Sequence, residues 1–512
     1  MLVATLPSRL VGQFPPLTVP KGLFRADLSG SFFTADRRFR AGESENLATD
    51  FVRTALGTNF FPDLEPADQL IRNITGATGP QLNLGTSSAT HQVTTGTLGI
   101  GLAYGLTPKI TLFGLVPWVR VKVRSTMGIV AGSGRAGFNP ADPVFGTTDG
   151  LAQSDQFFGQ FDAALATLEA KLAAGDYDGD PALRALAQST LASAGMVRDD
   201  LRSLTVTPGT SSPFLPLRTS ASGGAIRSVV SGIQTTLSGS LGVTGFTNEP
   251  VLPLDELANE DFERFVSEGL GPVAGSLETP SLSALGDAEV GLAVTLVDGL
   301  SANPARGVRI AAQGLARLPT GTLADSRRFF DVGTGEKQTD VEGTLVADAV
   351  RGRFGIRLLG GYSLQLAGTA QRRITAPDQP IPYAYRLASV SRDPGDLITL
   401  GATPAFRFAE SFALTGGAVW RHKGGDAFTY AGGDEPIPGI DAALLGSETD
   451  GSWTTATVGL TFSAPQLVKG DRVTHPIDAG VAWEGLVQSS GPVRVTRNWG
   501  VRFWLRLYTR VF

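Results

Sequence analysis

Cysteine is absent from the 512 residues, which excludes disulfide scaffolds, thiolate metal sites and cysteine catalysis. Charge is scarce: 18% of residues are charged, against a usual share of about 25%. The 43 Lys+Arg and 48 Asp+Glu leave a formal charge of −5, too near balance for a nucleic-acid binder. Only three histidines occur, His91, His422 and His475, and their dispersal provides no metal-ligand spacing. Long apolar runs are missing as well. Residues 1–22 contain Pro7, Arg9, Pro15, Pro16 and Pro20, so no secretory signal is visible there. The stretch 98–119 carries one charge, Lys109, but Pro108, Pro117 and four glycines make it a poor membrane helix. Glycine is plentiful at 64 residues, and 42% of the chain is hydrophobic, which argues against disorder. The glycines have no three-residue period, so collagen is excluded.

A period of two fills most of the chain. Phe24, Ala26, Leu28 and Phe32 alternate with Arg25, Asp27, Ser29 and Ser31. Ile356, Leu358, Tyr362 and Leu364 alternate with Arg357, Ser363 and Gln365, and Val481, Trp483 and Val487 share a parity opposite Asp478 and Glu484. In 110–124, Phe113, Leu115, Val119, Val121 and Val123 share one parity, while Trp118, Arg120, Lys122 and Arg124 share the other. A strand sends the two sets to opposite faces. The runs exceed the usual five or six residues of globular strands and reach the roughly 9–11 that a tilted strand needs to cross a bilayer. Short and long connections alternate, as in outer-membrane barrels.

These features predict an all-β fold, a transmembrane antiparallel up-and-down β-barrel of about twelve strands with a large, mostly helical extracellular insertion. The expected strands are 22–36, 90–104, 110–124, 284–297, 306–318, 340–350, 354–368, 396–408, 411–423, 452–463, 475–488 and 493–512. The domain reading is a periplasmic segment 1–21, first barrel strands with a long outer loop 22–125, a helical insertion 126–283 and the remaining barrel 284–512. The expected location is the bacterial outer membrane, with the lipid bilayer as partner. The aromatic-rich last strand ends at Phe512 and resembles the signal by which the outer-membrane assembly machinery recognises such chains. No nucleic-acid partner, cofactor or metal is expected.

Helical spacing in the insertion appears at Phe161, Leu165, Leu168 and Leu172, at Ile226, Val229, Val230, Ile233 and Leu237, and at Leu257, Phe262, Phe265 and Val266. It suits either a cap on the rim or a lid controlling the lumen. Asp176, Asp178 and Asp180 echo a calcium loop, but Pro181 follows and Ala187 stands where a bidentate Glu would be needed.

If the apolar parity faces lipid throughout, thirteen basic and eight acidic side chains face the lumen. The basic ones are Arg25, Arg120, Lys122, Arg124, Arg309, Arg317, Arg357, Arg407, Arg421, Lys423, Arg502, Arg506 and Arg510. Their counterparts are Asp27, Asp287, Glu289, Asp340, Glu342, Asp348, Asp478 and Glu484. Such an excess favours anions, although cross-strand pairs can also be scaffolding. The expected solute contacts are Arg120, Lys122, Arg124, Arg309, Arg357, Arg421, Arg502 and Arg506.

Leu285-Gly286-Asp287-Ala288-Glu289-Val290-Gly291-Leu292, Leu318-Pro319-Thr320-Gly321 and Asp331-Val332-Gly333-Thr334-Gly335 resemble motifs of the outer-membrane proteins named after the meta-pathway of phenol degradation. Those are relatives of hydrophobic-compound channels of the long-chain fatty-acid transporter type. The resemblance implies a monomeric channel for small, often aromatic or hydrophobic compounds, and no catalytic residues. The expected function is passive transport of small organic molecules, aromatic, hydrophobic or acidic. Two alternatives are a structural barrel whose helical domain binds a partner, and an outer-membrane hydrolase, which would place a Ser and a His within hydrogen-bond reach.

Overall fold

The structure is a computed structural model and describes residues 17–510 apart from 80, 268–280, 327–331, 377–378, 382, 434, 465–467, 470–471 and 474–476. Phe512, Arg510's side chain, Asp331 and His475 therefore lie outside the described residues.

Twelve long strands form the wall: β1 Leu23–Ala35, β2 Ser87–Gly105, β3 Ile110–Ile129, β4 Glu289–Asp298, β5 Arg306–Arg317, β6 Asp340–Arg351, β7 Phe354–Gln365, β8 Leu397–Arg407, β9 Phe412–Lys423, β10 Gly451–Ala464, β11 Ile477–Ser490 and β12 Trp499–Arg510. Each falls within one of the twelve expected segments to within a few residues, except that 284–297 divides. Leu282–Leu285 pairs with Val121–Trp118, residues 286–288 leave the ladder, and β4 resumes along Leu115–Ile110. Neighbours in sequence are neighbours in space, β12 pairs with β1, and the β2–β3 pairing completes a closed antiparallel barrel. Closure satisfies the backbone groups that an open sheet edge would expose to lipid. In β10–β11 the register shifts between Thr454 and Thr455, because Val487 is the extra residue of a bulge. That bulge returns Ser489 to the face of Glu484, which strict alternation would deny it.

By internal contacts the chain forms two compact units, one drawn from residues up to 50, 90–126 and from 267 onward, the other from 51–89 and 127–266. The first is the barrel. It also contains a sheet of Arg37–Arg40, Glu43–Asn46 and Val495–Thr496, and another of Gly368–Arg373, Leu387–Asp393 and Ala427–Tyr430.

The second unit is helical: α1 Glu65–Thr75, α2 Thr148–Ala174, α3 Pro181–Thr205, α4 Ala221–Thr235 and α5 Asn259–Ser267. Residues 51–89, read from sequence as an outer loop, belong to it. Phe61 meets Phe262 and Phe265 edge-on at 6.4 and 6.3 Å, and Ser222 Oγ lies 2.9 Å from Gln81 Oε1. Of the expected helices, α2 buries Phe161, Leu165 and Leu168, and α4 buries Ile226 and Val230. The sequence reading missed α3, although Asp180 caps it by accepting the Ala182 and Leu183 amides and Pro181 opens it. The same capping removes the calcium reading. Asp178 pairs with Arg184 and Asp176 with Lys171, and no metal-ligating cluster occurs among the described residues.

Candidate functional site: the barrel wall and lumen

The wall presents large apolar side chains outward. Leu102 on β2 is 60% exposed, Val458 on β10 is 54% and Trp483 on β11 is 47%, and Leu345, Leu358, Leu400 and Phe503 behave likewise. Between them on the same strands lie buried Thr457, Thr461, Glu484, Asp348, Arg357 and Arg502. A water-soluble sandwich would reverse these faces, because buried unpaired charge is costly and exposed apolar area is unfavourable by about 25 cal/mol per Å². The chain is a transmembrane β-barrel of the outer-membrane type.

One strand departs from the expected facing. On β3 it is Val121 and Val123 that are buried, packed with Val93 and against Leu47, Val119 and Val332. Arg120, Lys122 and Arg124 are exposed and point outward, on the side of Trp118, Val116 and Leu112. The cause is that β3 is apolar on both faces below Trp118, so period two does not choose a direction. The inward Leu115 finds its room across Gly99 and Gly101 of β2, whose added Cβ atoms would approach it to 3.2 Å. The three cations thus leave the lumen set. Among the described side chains nine basic and eight acidic groups remain there, and the expected cationic excess largely vanishes.

Those groups are mostly paired. Asp348 bridges two strands at once, with Arg309 Nη2 at 2.8 Å and Arg357 Nε at 2.6 Å. Arg317 lies 2.6 Å from Asp340 and 3.6 Å from Glu289, and Arg502 lies 2.9 Å from Glu484. Asp27 receives Arg25 at 2.9 Å, with Arg506 at 3.6 Å. Of the five expected contact residues that do face inward, Arg309, Arg357, Arg502 and Arg506 therefore belong to cross-strand ion pairs. The desolvation of such buried pairs offsets much of their attraction, whereas removing one partner leaves an uncompensated buried charge.

Arg421 is the exception. It forms no ion pair or hydrogen bond among the described residues, and its charged neighbours are Glu484, Arg502 and Glu342. Across the ladder it stands opposite Trp453, which in turn stands opposite Ser489. The Trp453 Nε1, 2% exposed as a residue, and the Ser489 Oγ have no hydrogen-bond partner among the described residues, and neither has Trp504 Nε1 on β12. Sequence reasoning selected Arg421 by parity but singled out neither tryptophan as a lumen group. Burial of an indole N–H without a partner costs about 1–3 kcal/mol, so these donors mark polar capacity that the described protein groups leave unused.

Both ends of the lumen receive chain from within the barrel unit. Phe39, Val493 and Val495 pack on Trp453 and Leu486. At the short-turn end Val19 packs with Leu23, Ala103 and Tyr508, and its amide donates to Thr111 Oγ1 at 2.7 Å.

No family model matches this sequence, and no curated protein matches it either. Among solved structures it is similar to an outer membrane channel from Pseudomonas putida F1, at 10% identity over 97% of both chains with a TM-score of 0.39. It is also similar to a FadL homologue from Pseudomonas aeruginosa, at 6% identity over 96% of this chain and 91% of that one with a TM-score of 0.28. The Pseudomonas putida toluene transporter TodX matches at 10% identity over 96% of this chain and 90% of that one, with a TM-score of 0.26.

The barrel's wall break gathers all three motif segments. Asp287 accepts the amides of Gly321 and Glu336 at 2.8 and 3.0 Å. Thr320 Oγ1 donates to Gly286 at 2.7 Å and accepts from the Ala288 amide at 2.8 Å, and Thr334 Oγ1 donates to Leu285 at 2.6 Å. Thr320 thus satisfies one backbone group each of Gly286 and Ala288, while the Gly286 amide donates to the Pro117 carbonyl and the Leu318 amide donates to the Ala288 carbonyl.

Two Ser–His contacts form across strands: His91 Nδ1 to Ser125 Oγ at 2.6 Å, and His422 Nδ1 to Ser452 Oγ at 3.0 Å. In a hydrolytic triad serine meets Nε2 while a carboxylate holds Nδ1. Here serine occupies Nδ1, and His422 stacks on Trp420 at 6.1 Å. The hydrolase alternative gains proximity without triad geometry.

Proposed function

We propose that the barrel is a channel for passive movement of small organic molecules, and that solutes bearing an acidic or hydroxyl group contact Arg421 in transit. The single supporting observation is the cluster of polar groups at Arg421, Trp453 and Ser489 that no described protein group satisfies, in a lumen where most other cations sit in ion pairs. A guanidinium and an indole N–H are donors, and donors favour carboxylates, phenolates and hydroxyls over cations. Arg309, Arg357, Arg502 and Arg506 act in this reading through the field of their pairs rather than as free anion ligands.

Planar-bilayer recordings of the purified full-length protein are expected to show current. Arg421→Gln is expected to reduce flux of a benzoate probe at least threefold while leaving a neutral aromatic probe within twofold. The rival reading, a closed structural barrel, draws on the same ion pairs. Silence from the full chain and from a variant lacking 127–266 would favour that rival.

A further inference from the structure

Beyond Trp118 the outward face of β3 carries Arg120, Lys122 and Arg124 in succession. All three are exposed, and none has an ion pair or hydrogen bond among the described residues. With Phe32 of β1 and Gln92, Thr94 and Gly96 of β2 they line a groove of about 440 Å³. Alternate residues on a strand are about 6.6 Å apart, so the ladder climbs about 13 Å along the wall. It lies in the half of the barrel toward the long connections, the extracellular side of such proteins. Among the described residues, no other wall strand turns a cation outward in that half. Below the ladder the same surface is apolar, with Trp118 50%, Leu98 42% and Ile100 61% exposed.

Three like charges in a row repel one another, and nothing in the described protein neutralises them. A ligand that relieves this must carry more than one negative charge over about 13 Å. It must also tolerate, at its other end, the greasy surface of Leu98 and Ile100. Gln92 and Thr94 add neutral hydrogen-bonding groups suited to sugar hydroxyls. We propose that this groove binds an outer-leaflet glycolipid with at least two phosphates, its phosphates on Arg120, Lys122 and Arg124 and its acyl chains along Leu98 and Ile100. The site lies on the lipid side of the wall and is independent of what crosses the lumen.

The test uses the full-length protein in phosphatidylcholine nanodiscs, with bound lipid counted by native mass spectrometry. Bisphosphorylated lipid A is expected to bind, and the triple variant Arg120→Gln, Lys122→Gln, Arg124→Gln to weaken it at least tenfold. A control with Arg306→Gln and Arg351→Gln, outward cations at the short-turn end, is expected to stay within twofold. Should the triple variant fail to fold, Lys122→Glu alone is expected to weaken binding at least threefold, and raising salt from 50 to 500 mM to weaken wild-type binding more than tenfold. Dephosphorylated lipid A is expected to bind no better than phosphatidylcholine, and millimolar inorganic phosphate not to compete. Equal binding by the triple variant, equal loss in the control, or phosphatidylglycerol binding as well as lipid A would overturn the proposal.

Discussion

Asp287 shows how one carboxylate can hold a wall together. Its two oxygens take amides from both ends of the 318–336 connection, and a Cβ on Gly335 would come within 2.5 Å of its Oδ1. Gly335→Ala is therefore expected to cost about 1–3 kcal/mol and to speed hydrogen exchange at the Gly321 and Glu336 amides. Unchanged exchange at both would count against this role. Asp348 is a second such residue, 2% exposed between Arg309 and Arg357. Removing it takes one buried carboxylate from two guanidinium groups, so Asp348→Ala is expected to destabilise the barrel by roughly 3–5 kcal/mol. Urea unfolding from lipid vesicles measures this, and a change under 1 kcal/mol would refute it. Arg421 has no comparable partner, which is why its replacement is expected to alter flux and leave stability little changed.

At the scale of the strand, alternation located all twelve wall elements because a lipid-facing and a lumen-facing side chain must take turns along extended backbone. It could not say which set faces lipid where both sets are apolar. On β3 the residues that decide this are distant in sequence: Val93, Leu47 and Val332 cover Val121 and Val123, and Gly99 and Gly101 leave room for Leu115. The consequence reaches the site, since Arg120, Lys122 and Arg124 move from the lumen to the outer surface. The wall break is similar. Glycine and threonine in its motifs were visible, but that Thr320, Thr334 and Asp287 meet follows only from folding the 318–336 connection back on the ladder. In the helical unit the caps of α3 were legible at Asp180 and Pro181, while the assignment of 51–89 rests on ring contacts such as Phe61 with Phe262.

For the molecule as a whole, the six tryptophans report on the central facing assignment. Trp118, Trp420, Trp483 and Trp499 are exposed outward, whereas Trp453 and Trp504 are 2% and 7% exposed within. Single-tryptophan variants in bilayers with brominated acyl chains are expected to be quenched strongly at Trp483 and little at Trp453 or Trp504. The reverse order would mean that the apolar face is a core and would remove the membrane reading altogether. The charge balance changes with scale too. The chain is net acidic and the raw alternation implied a strongly basic lumen, yet the folded interior comes close to neutrality through cross-strand pairs such as Arg502–Glu484.

The sequence by itself determined that this protein is a barrel of twelve membrane-length strands, because periodicity and strand length are local properties that each segment carries alone. Only the tertiary structure decided which face of β3 meets lipid, which lumen charges find partners and which motif side chains converge on Asp287. Those outcomes depend on neighbours far apart in the chain, and a pairing energy does not exist until closure brings both partners into contact.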